Sequence, residues 1–393
     1  MSRFIVARSK SEGRVTKAKV RSAPLIVALL SIIVALHSAC GSSGNTAPSP
    51  MPATAPPAAT ATVTPGSRSQ APGGLLPAPR AISFPADDAA HNASLEWWYY
   101  NGNLKGPAGE NYSFHLVVFK RQSAPGRSGY VAHMSLTDQQ RGTYQFREEI
   151  SLPAEQKNLE EGFDLVVGDI RAYGSMGQDR ISGGTDNYRL KLNLAALKPP
   201  VLHGVSGYVG ISDKEASYYY SRTRMEAQGT VVDRGITVPV SGLAWMDHQW
   251  GDFTLQGGGG WDWASLQLDD KTEVMVSVVR DGERKAVLSY GTFIDGVGQV
   301  THLTQSQVRM DATGSWSSPT TGVRYPSGWT VAVPERDMLL HLEPVLVQQE
   351  METTASVGRV YWEGAVRVSS TALGRPVNGV GYVELTGYDA PGN

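Results

Sequence analysis

Cysteine is nearly absent from this chain of 393 residues: Cys40 is the only thiol. A single cysteine excludes an internal disulfide, so the folded part must stand on its own core, which this length allows. Histidine is also scarce, with eight copies. No two of them show a metal-ligand spacing such as His-x-x-x-His, which argues against a zinc site. A Gly-x-Ser-x-Gly turn, a phosphate-cradling loop and a dinucleotide fingerprint are all missing. The run Gly257 to Gly260 lacks the Lys-Ser/Thr of a phosphate loop and reads as a flexible connector. Helical periodicity is almost missing too. Leu190 to Leu197 is the best helical candidate, and it fits a strand equally well.

Long apolar runs are limited to one. Ala23 to Leu36 is uncharged over fourteen residues, preceded by seven Lys or Arg against one Glu in residues 1–22, and followed by His37-Ser38-Ala39-Cys40. As a helix it rises only about 21 Å, short of a hydrocarbon core of about 30 Å. A basic segment, a short apolar one and small residues before a cut describe an export signal. The small residues before Cys40 resemble a lipoprotein signal, in which the cysteine becomes residue one and carries acyl chains. His37 departs from that pattern, since Leu normally stands there. Acyl chains would anchor the protein to a membrane at roughly 0.8 kcal/mol per buried methylene. Residues 1–40 are therefore read as signal, and plain secretion is the alternative. Without the signal the chain has 28 basic and 36 acidic residues. No basic patch remains for a nucleic acid.

Gly41 to Arg80 has nine prolines among Ala, Thr, Ser and Gly, with only Arg68 and Arg80 charged. It lacks the apolar bulk to offset its ordering entropy and reads as an extended tether. From about residue 81 short segments rich in Val, Tyr, Trp and Thr alternate with turn signals every eight to twelve residues. Asp233-Arg234-Gly235 is a hairpin loop between two of them. The expectation is an all-β protein of two β domains, residues 81–255 and 256–393.

Two stretches concentrate chemistry. In Gly242-Leu-Ala-Trp-Met-Asp-His-Gln-Trp-Gly-Asp252, an acid and an imidazole, Asp247 and His248, stand between Trp245 and Trp250. A strand sends alternate side chains to opposite faces, so Asp247 and His248 share one cavity only if a bulge breaks the alternation; the nearby glycines make that possible. Otherwise the Asp caps a turn and the His is a satisfied polar group in an aromatic cluster. In Glu96-Trp-Trp-Tyr-Tyr100, alternation groups Glu96, Trp98 and Tyr100 on one face and Trp97 with Tyr99 on the other. If Glu96 faces inward among aromatics, burial raises its pKa. The alternative is an ion pair with Arg222 or Arg224. His115, His133, His203, Glu363 and Glu384 are further polar residues inside strand-like runs.

Taken together, Leu95–Leu104, Ala132–Asp138, Pro200-Val-Leu-His-Gly204, Tyr219-Tyr-Ser221, Trp245–Gly251, Trp261-Asp-Trp263, Tyr361-Trp-Glu-Gly364 and Gly381–Tyr388 resemble the lipocalin-like AttH/CrtC-type family. That family includes carotenoid 1,2-hydratases (hydroxyneurosporene synthases) and exported proteins described as predicted secreted hydrolases. The resemblance spans about residues 90–390. It implies two tandem lipocalin-like β-barrels, no cofactor, and an apolar small molecule as partner: a carotenoid, another terpenoid or a lipid. In the hydratase branch a carboxylic acid protonates an isolated double bond and water captures the cation. The resemblance carries over to His248 and Trp250, with Asp247 before them. With Glu96 of the opening strand, Asp247 and His248 make the candidate catalytic set, Asp247 or Glu96 as acid and His248 positioning water or acting as base. Trp97, Trp98, Tyr100, Tyr220, Trp245, Trp250, Trp261, Glu363 and Glu384 are the candidate cavity lining. A Tyr and an Asp expected on the following strand are replaced by Met275 and Ser277, nearer the secreted AttH-like branch. A hydratase, a secreted hydrolase and a non-catalytic lipid carrier all remain open. Anchoring has its own test: Cys40→Ser should move the protein from the membrane pellet to the soluble fraction and abolish incorporation of labelled palmitate.

Overall fold

The computed structural model describes residues 79–124, 127–151, 159–211, 215–253, 259–372 and 375–389. The signal segment, Cys40 and nearly all of the tether lie outside them, as do residues 256–258 of the glycine run. The described residues form strands and short 3-10 turns, with no α-helix and no apolar helix long enough to cross a membrane.

Two large antiparallel sheets carry the fold. The first has twelve strands. At its centre the opening strand Leu95–Lys105 lies beside Ile236–Asp252, which pairs in turn with Ala216–Asp233. It curls until Phe163–Val167 approaches Arg127–Asp138 and Thr143–Ser151, nearly closing a barrel. The second sheet has ten strands, with Gly260–Leu268, Arg375–Leu385 and Arg359–Ala372 side by side in its middle. The helical candidate is a strand, Tyr188–Ala196. Tyr188, Leu190, Leu192 and Leu194 are buried and the residues between them exposed, a period of two. The Asp233–Ile236 hairpin turns through Arg234 and Gly235, both at positive φ (48° and 88°), the geometry a two-residue loop needs.

The opening strand pairs with Ile236–Asp252 without interruption, from Leu95 opposite Gly251 to Lys105 opposite Ser241. No bulge falls at Asp247 or His248; the register shift lies on the neighbouring strand, between Arg222 and Met225. Alternation therefore sorts every side chain of these strands. Trp98, Tyr100, Met246 and Trp250 enter the core inside the first sheet. Tyr99 and Trp245 point the other way, into a cluster with Trp263, Met275 and Tyr382 of the second sheet. A separate core fills the second sheet. There are thus three apolar layers: one within each sheet and one between them.

Gly242 lies opposite Leu104 in the central ladder. A Cβ there would lie 2.0 Å from the Asn103 carbonyl oxygen and 3.0 Å from Leu104 Cα, both backbone atoms of the ladder. Gly242→Ala should therefore cost about 1–3 kcal/mol, the range for forced overpacking, seen as a lower urea midpoint with the sheet signal retained.

Candidate functional site

The inward face of the central strands holds a closed ionic network. Residues 79–94 fold over the end of the first sheet, and the 3-10 turn Ala86–Asp88 places two buried acids there. His91 Nδ1 stands 2.7 Å and His248 Nε2 2.9 Å from Glu96 Oε1, and Lys120 Nζ lies 3.1 Å from Glu96 Oε2. His91 Nε2 reaches Asp87 at 2.9 Å, and Tyr220 and Arg222 both bond Asp88. His91 stacks on Trp250 with ring centroids 3.7 Å apart. Burial alone would raise Glu96, but hydrogen bonds from His248 and His91 outweigh it and hold the carboxyl at about 2. The expected raised acid at Glu96 is thus overturned. Its partners are His91, His248 and Lys120, while Arg222 goes to Asp88 and Arg224 to Glu273. His91, Glu96 and His248 place ligand-type atoms within 4.8 Å of one another. Within the cluster His91 Nδ1 and His248 Nε2 both meet Glu96 Oε1. A recess of about 290 Å3 lies beside His91 and Trp250. Its charged groups are spoken for: Arg80 by Asp87, and Asp252 by the Ser94 amide.

The opposite face gives a different environment. Between the two sheets runs a cleft of about 80 Å3, walled by Trp97, Tyr219, Trp261 and Trp263 and bordered by Asp247 and Glu384. Both acids are held by aromatic donors. Tyr219 Oη donates to Asp247 Oδ2 at 2.7 Å and Trp245 Nε1 to Oδ1 at 2.6 Å, and Ser221 Oγ adds a very short bond. Trp261 Nε1 donates to Glu384 Oε2 at 2.7 Å. Directly across the ladder from Glu384 stands Glu363, which accepts from Tyr99 Oη at 2.8 Å.

Burial raises all three carboxyls, and donors and neighbouring charge modulate the rise. Asp247, with three donors, rises to about 6. Glu384, with Trp261 alone, rises to about 7. Glu363 is driven well above the usual range by burial and by Glu384 beside it. His115 also lines the cleft, and burial, reinforced by His133, holds its pKa well below the ordinary value. The cleft is thus bordered by two carboxyls, Asp247 and Glu384, that burial raises toward neutrality, with Glu363 behind them raised further.

Among the residues singled out by sequence, Trp97, Asp247, Trp261 and Glu384 line the cleft. Trp245 buttresses Asp247, and Glu363 lies behind Tyr99. Glu96, Trp98, Tyr100, Tyr220 and His248 are on the other face, buried in the first sheet. They cannot reach the cleft, because the unbroken ladder sends them away from Asp247. Trp250 borders the recess instead. The expected hollow inside a barrel gives way to a packed core in the first sheet, and the cleft bordered by Asp247 and Glu384 lies between the sheets. Tyr219 and Ser221, part of a motif behind the resemblance, and Tyr290 were not among the candidate site residues; for Tyr219 the alternation of Tyr218-Tyr219-Tyr220 was the available signal.

A family model described as AttH-like matches residues 76–388. A solved structure of a putative AttH from Nitrosomonas europaea is 31% identical, covers 81% of this chain and 98% of its own, and superposes with a TM-score of 0.71. Kievitone hydratase from Nectria haematococca shares the fold at 16% identity, covering 78% of this chain and 93% of its own, with a TM-score of 0.63. The dehydratase asqC of Emericella nidulans is 23% identical over 215 residues, which is 52% of this chain and 60% of that protein.

The raised acids set a pH dependence of stability. Glu384 favours the fold fully below its unfolded value of 4.5, and that contribution is lost as pH rises to about 7. Asp247 acts with the same sign between 3.8 and about 6. Glu96 acts oppositely, losing stability as pH falls from 4.5 to about 2. Urea midpoints should therefore decline from pH 4.5 to 7.5, and Glu384→Gln should flatten that decline without altering the acid limb.

Proposed function

The chain belongs to the AttH-like family, and on that footing we propose that it is a hydro-lyase-type enzyme that adds water to an isolated double bond, or removes it, in the cleft between the sheets. The observation that carries this reading is the pair Glu384 and Asp247, two buried carboxyls from opposite sheets that border one aromatic cleft and are both raised toward neutrality. Such carboxyls can serve as acid and base, and Glu384, held by one donor against three on Asp247, takes the acid's part. In hydration the Glu384 O–H bond breaks and its proton joins the less substituted alkene carbon. The cation left on the branched carbon faces Trp97, Tyr219 and Trp261, and aromatic faces stabilise a desolvated cation by about 2 kcal/mol or more. Water adds to that carbon, and its proton passes to the Asp247 carboxylate. Dehydration runs the same steps backwards. The hydratase and dehydratase names among similar proteins agree with this chemistry.

The substrate class follows from size and lining. A cavity of roughly 150 Å3 takes one benzene ring, so a cleft of about 80 Å3 admits only the end of a larger molecule. A branched apolar terminus, an isoprenoid end or its tertiary alcohol, fits, with the rest of the molecule outside. Carotenoids are one case of that class. We also propose export and lipid anchoring at Cys40, on the basic segment, apolar run and small residues ahead of it. The carrier reading uses the same cleft, and its support is the cleft's apolar walls.

The test is incubation with short acyclic isoprenoid alkenes and their tertiary alcohols, read by mass spectrometry for gain or loss of one water. Glu384→Gln and Asp247→Asn should each lower the rate at least about 100-fold, the lower range for general acid–base catalysis. His248→Gln, on the other face, should lower stability and leave turnover within a few-fold. A ligand retained by all variants with no product would establish the carrier instead.

A further inference from the structure

Beyond the cleft, three side chains that the proposed chemistry does not use lead away from Asp247 in single file. Ser221 stands directly across the ladder from Asp247 and gives it the very short hydrogen bond. His203 Nε2 lies 2.6 Å from Ser221 Oγ, and His203 Nδ1 lies 2.9 Å from Thr292 Oγ1. His203 follows the short strand Val201–Leu202. Its backbone N–H bonds the Tyr219 carbonyl at 3.0 Å, and its ring packs on the Tyr219 ring with centroids 4.2 Å apart. Thr292 belongs to the second sheet, on Ala286–Ile294, so the file crosses from one sheet to the other. Ser221, His203 and Thr292 are fully buried. Directly across the next strand pair from Thr292 is His302, which is exposed.

Each group in this file can donate and accept at once. A hydroxyl does both, and a neutral imidazole donates from one nitrogen and accepts at the other. Two arrangements keep all three hydrogen bonds of the file intact. With Asp247 ionised, Thr292 donates to His203 Nδ1, Nε2–H donates to Ser221, and Ser221 donates to Asp247. With Asp247 protonated, every bond reverses: Asp247 donates to Ser221, Ser221 to Nε2, and Nδ1–H to Thr292. A mixed arrangement would leave a buried polar group unmet, at a cost of about 1–3 kcal/mol. The tautomer of His203 is therefore tied to the protonation of Asp247.

We propose that Ser221, His203 and Thr292 form a proton conduit that empties and refills Asp247 from the His302 side, His203 changing tautomer and never charge. This rests on the reading of Asp247 as the base of the cleft. After hydration Asp247 holds the proton taken from water. Its O–H bond breaks toward Ser221, the Ser221 proton moves to Nε2, the Nδ1 proton moves to Thr292, and the Thr292 proton leaves toward His302 or surface water. One proton enters the file and one leaves it. Burial, with His302 nearby, holds the His203 pKa at about 3, so an imidazolium takes no part. The groups facing Asp247 are Tyr219 and Trp245 from its own sheet and Tyr290 and Glu384 from the other.

Nitrogen NMR on the intact chain, labelled at His and Trp, reads both ends of the file. The Trp245 indole N–H donates to Asp247 and reports its titration. In the wild type the two ring nitrogens of His203 should exchange their protonated and unprotonated shifts at the midpoint seen for Trp245. Neither should move in Asp247→Asn. In Ser221→Ala, Trp245 should titrate at a higher pH while His203 stays still, and Ser221→Thr should restore the coupling. A His203 that keeps one tautomer while Trp245 titrates, or that gains a second proton, overturns the conduit. Because the wild type alone decides this, and proton positions are read without substrate, failure of the conduit and failure of the hydro-lyase reading are separate results.

Discussion

The antiparallel ladder between Leu95–Lys105 and Ser241–Gly251 runs for 11 residues without a bulge, and its regularity divides the chemistry of this molecule. Because side chains alternate strictly along paired strands, Glu96 and His248 go to one side and Trp97 and Asp247 to the other. The two sets are neighbours in sequence and separate in space. One is sealed inside a barrel; the other meets a second sheet. A single inserted residue between Asp247 and His248 would have merged them.

The two sides treat carboxylates differently. Glu96 is as deeply buried as Asp247, yet it is held at about 2 while Asp247 rises to about 6. The difference lies in the donors. Glu96 has two imidazoles and a lysine, groups that carry or can take positive charge. Asp247 has a phenol, an indole and a serine, which donate hydrogen bonds but bring no charge. Neutral donors only partly offset desolvation, and the cleft acids keep protons that the barrel acid gives up. The first arrangement suits a fixed ionic plug; the second suits proton transfer.

The interface between the sheets is also where the proposed reaction takes place. Asn101 bonds Ser265, Trp263 bonds Tyr219, and Arg224 and Lys198 bond Glu273, all across it. These contacts fix the spacing of the sheets and hence the width of the cleft. Asp247 comes from one sheet and Glu384 from the other, so an acid and base pair exists only when both sheets are docked. This gives a physical reason for two sheets in one chain where one barrel would hold a core.

Sequence alone was enough for the all-β class, the strand-rich texture after residue 81, the Asp233–Ile236 hairpin and the family. Each rests on local pattern: period-two burial, turn residues with positive φ, and motifs in order. It was also enough to nominate Asp247, Glu384, Trp97 and Trp261. Only the tertiary structure decided that Glu96 and His248 stand apart from them, that a cleft lies between the sheets, and that burial raises the carboxyls bordering it. Alternation tells which residues share a face but not what packs against that face. A carboxyl's proton affinity is set by donors arriving from strands hundreds of residues away, as Tyr99 of the first sheet meets Glu363 of the second.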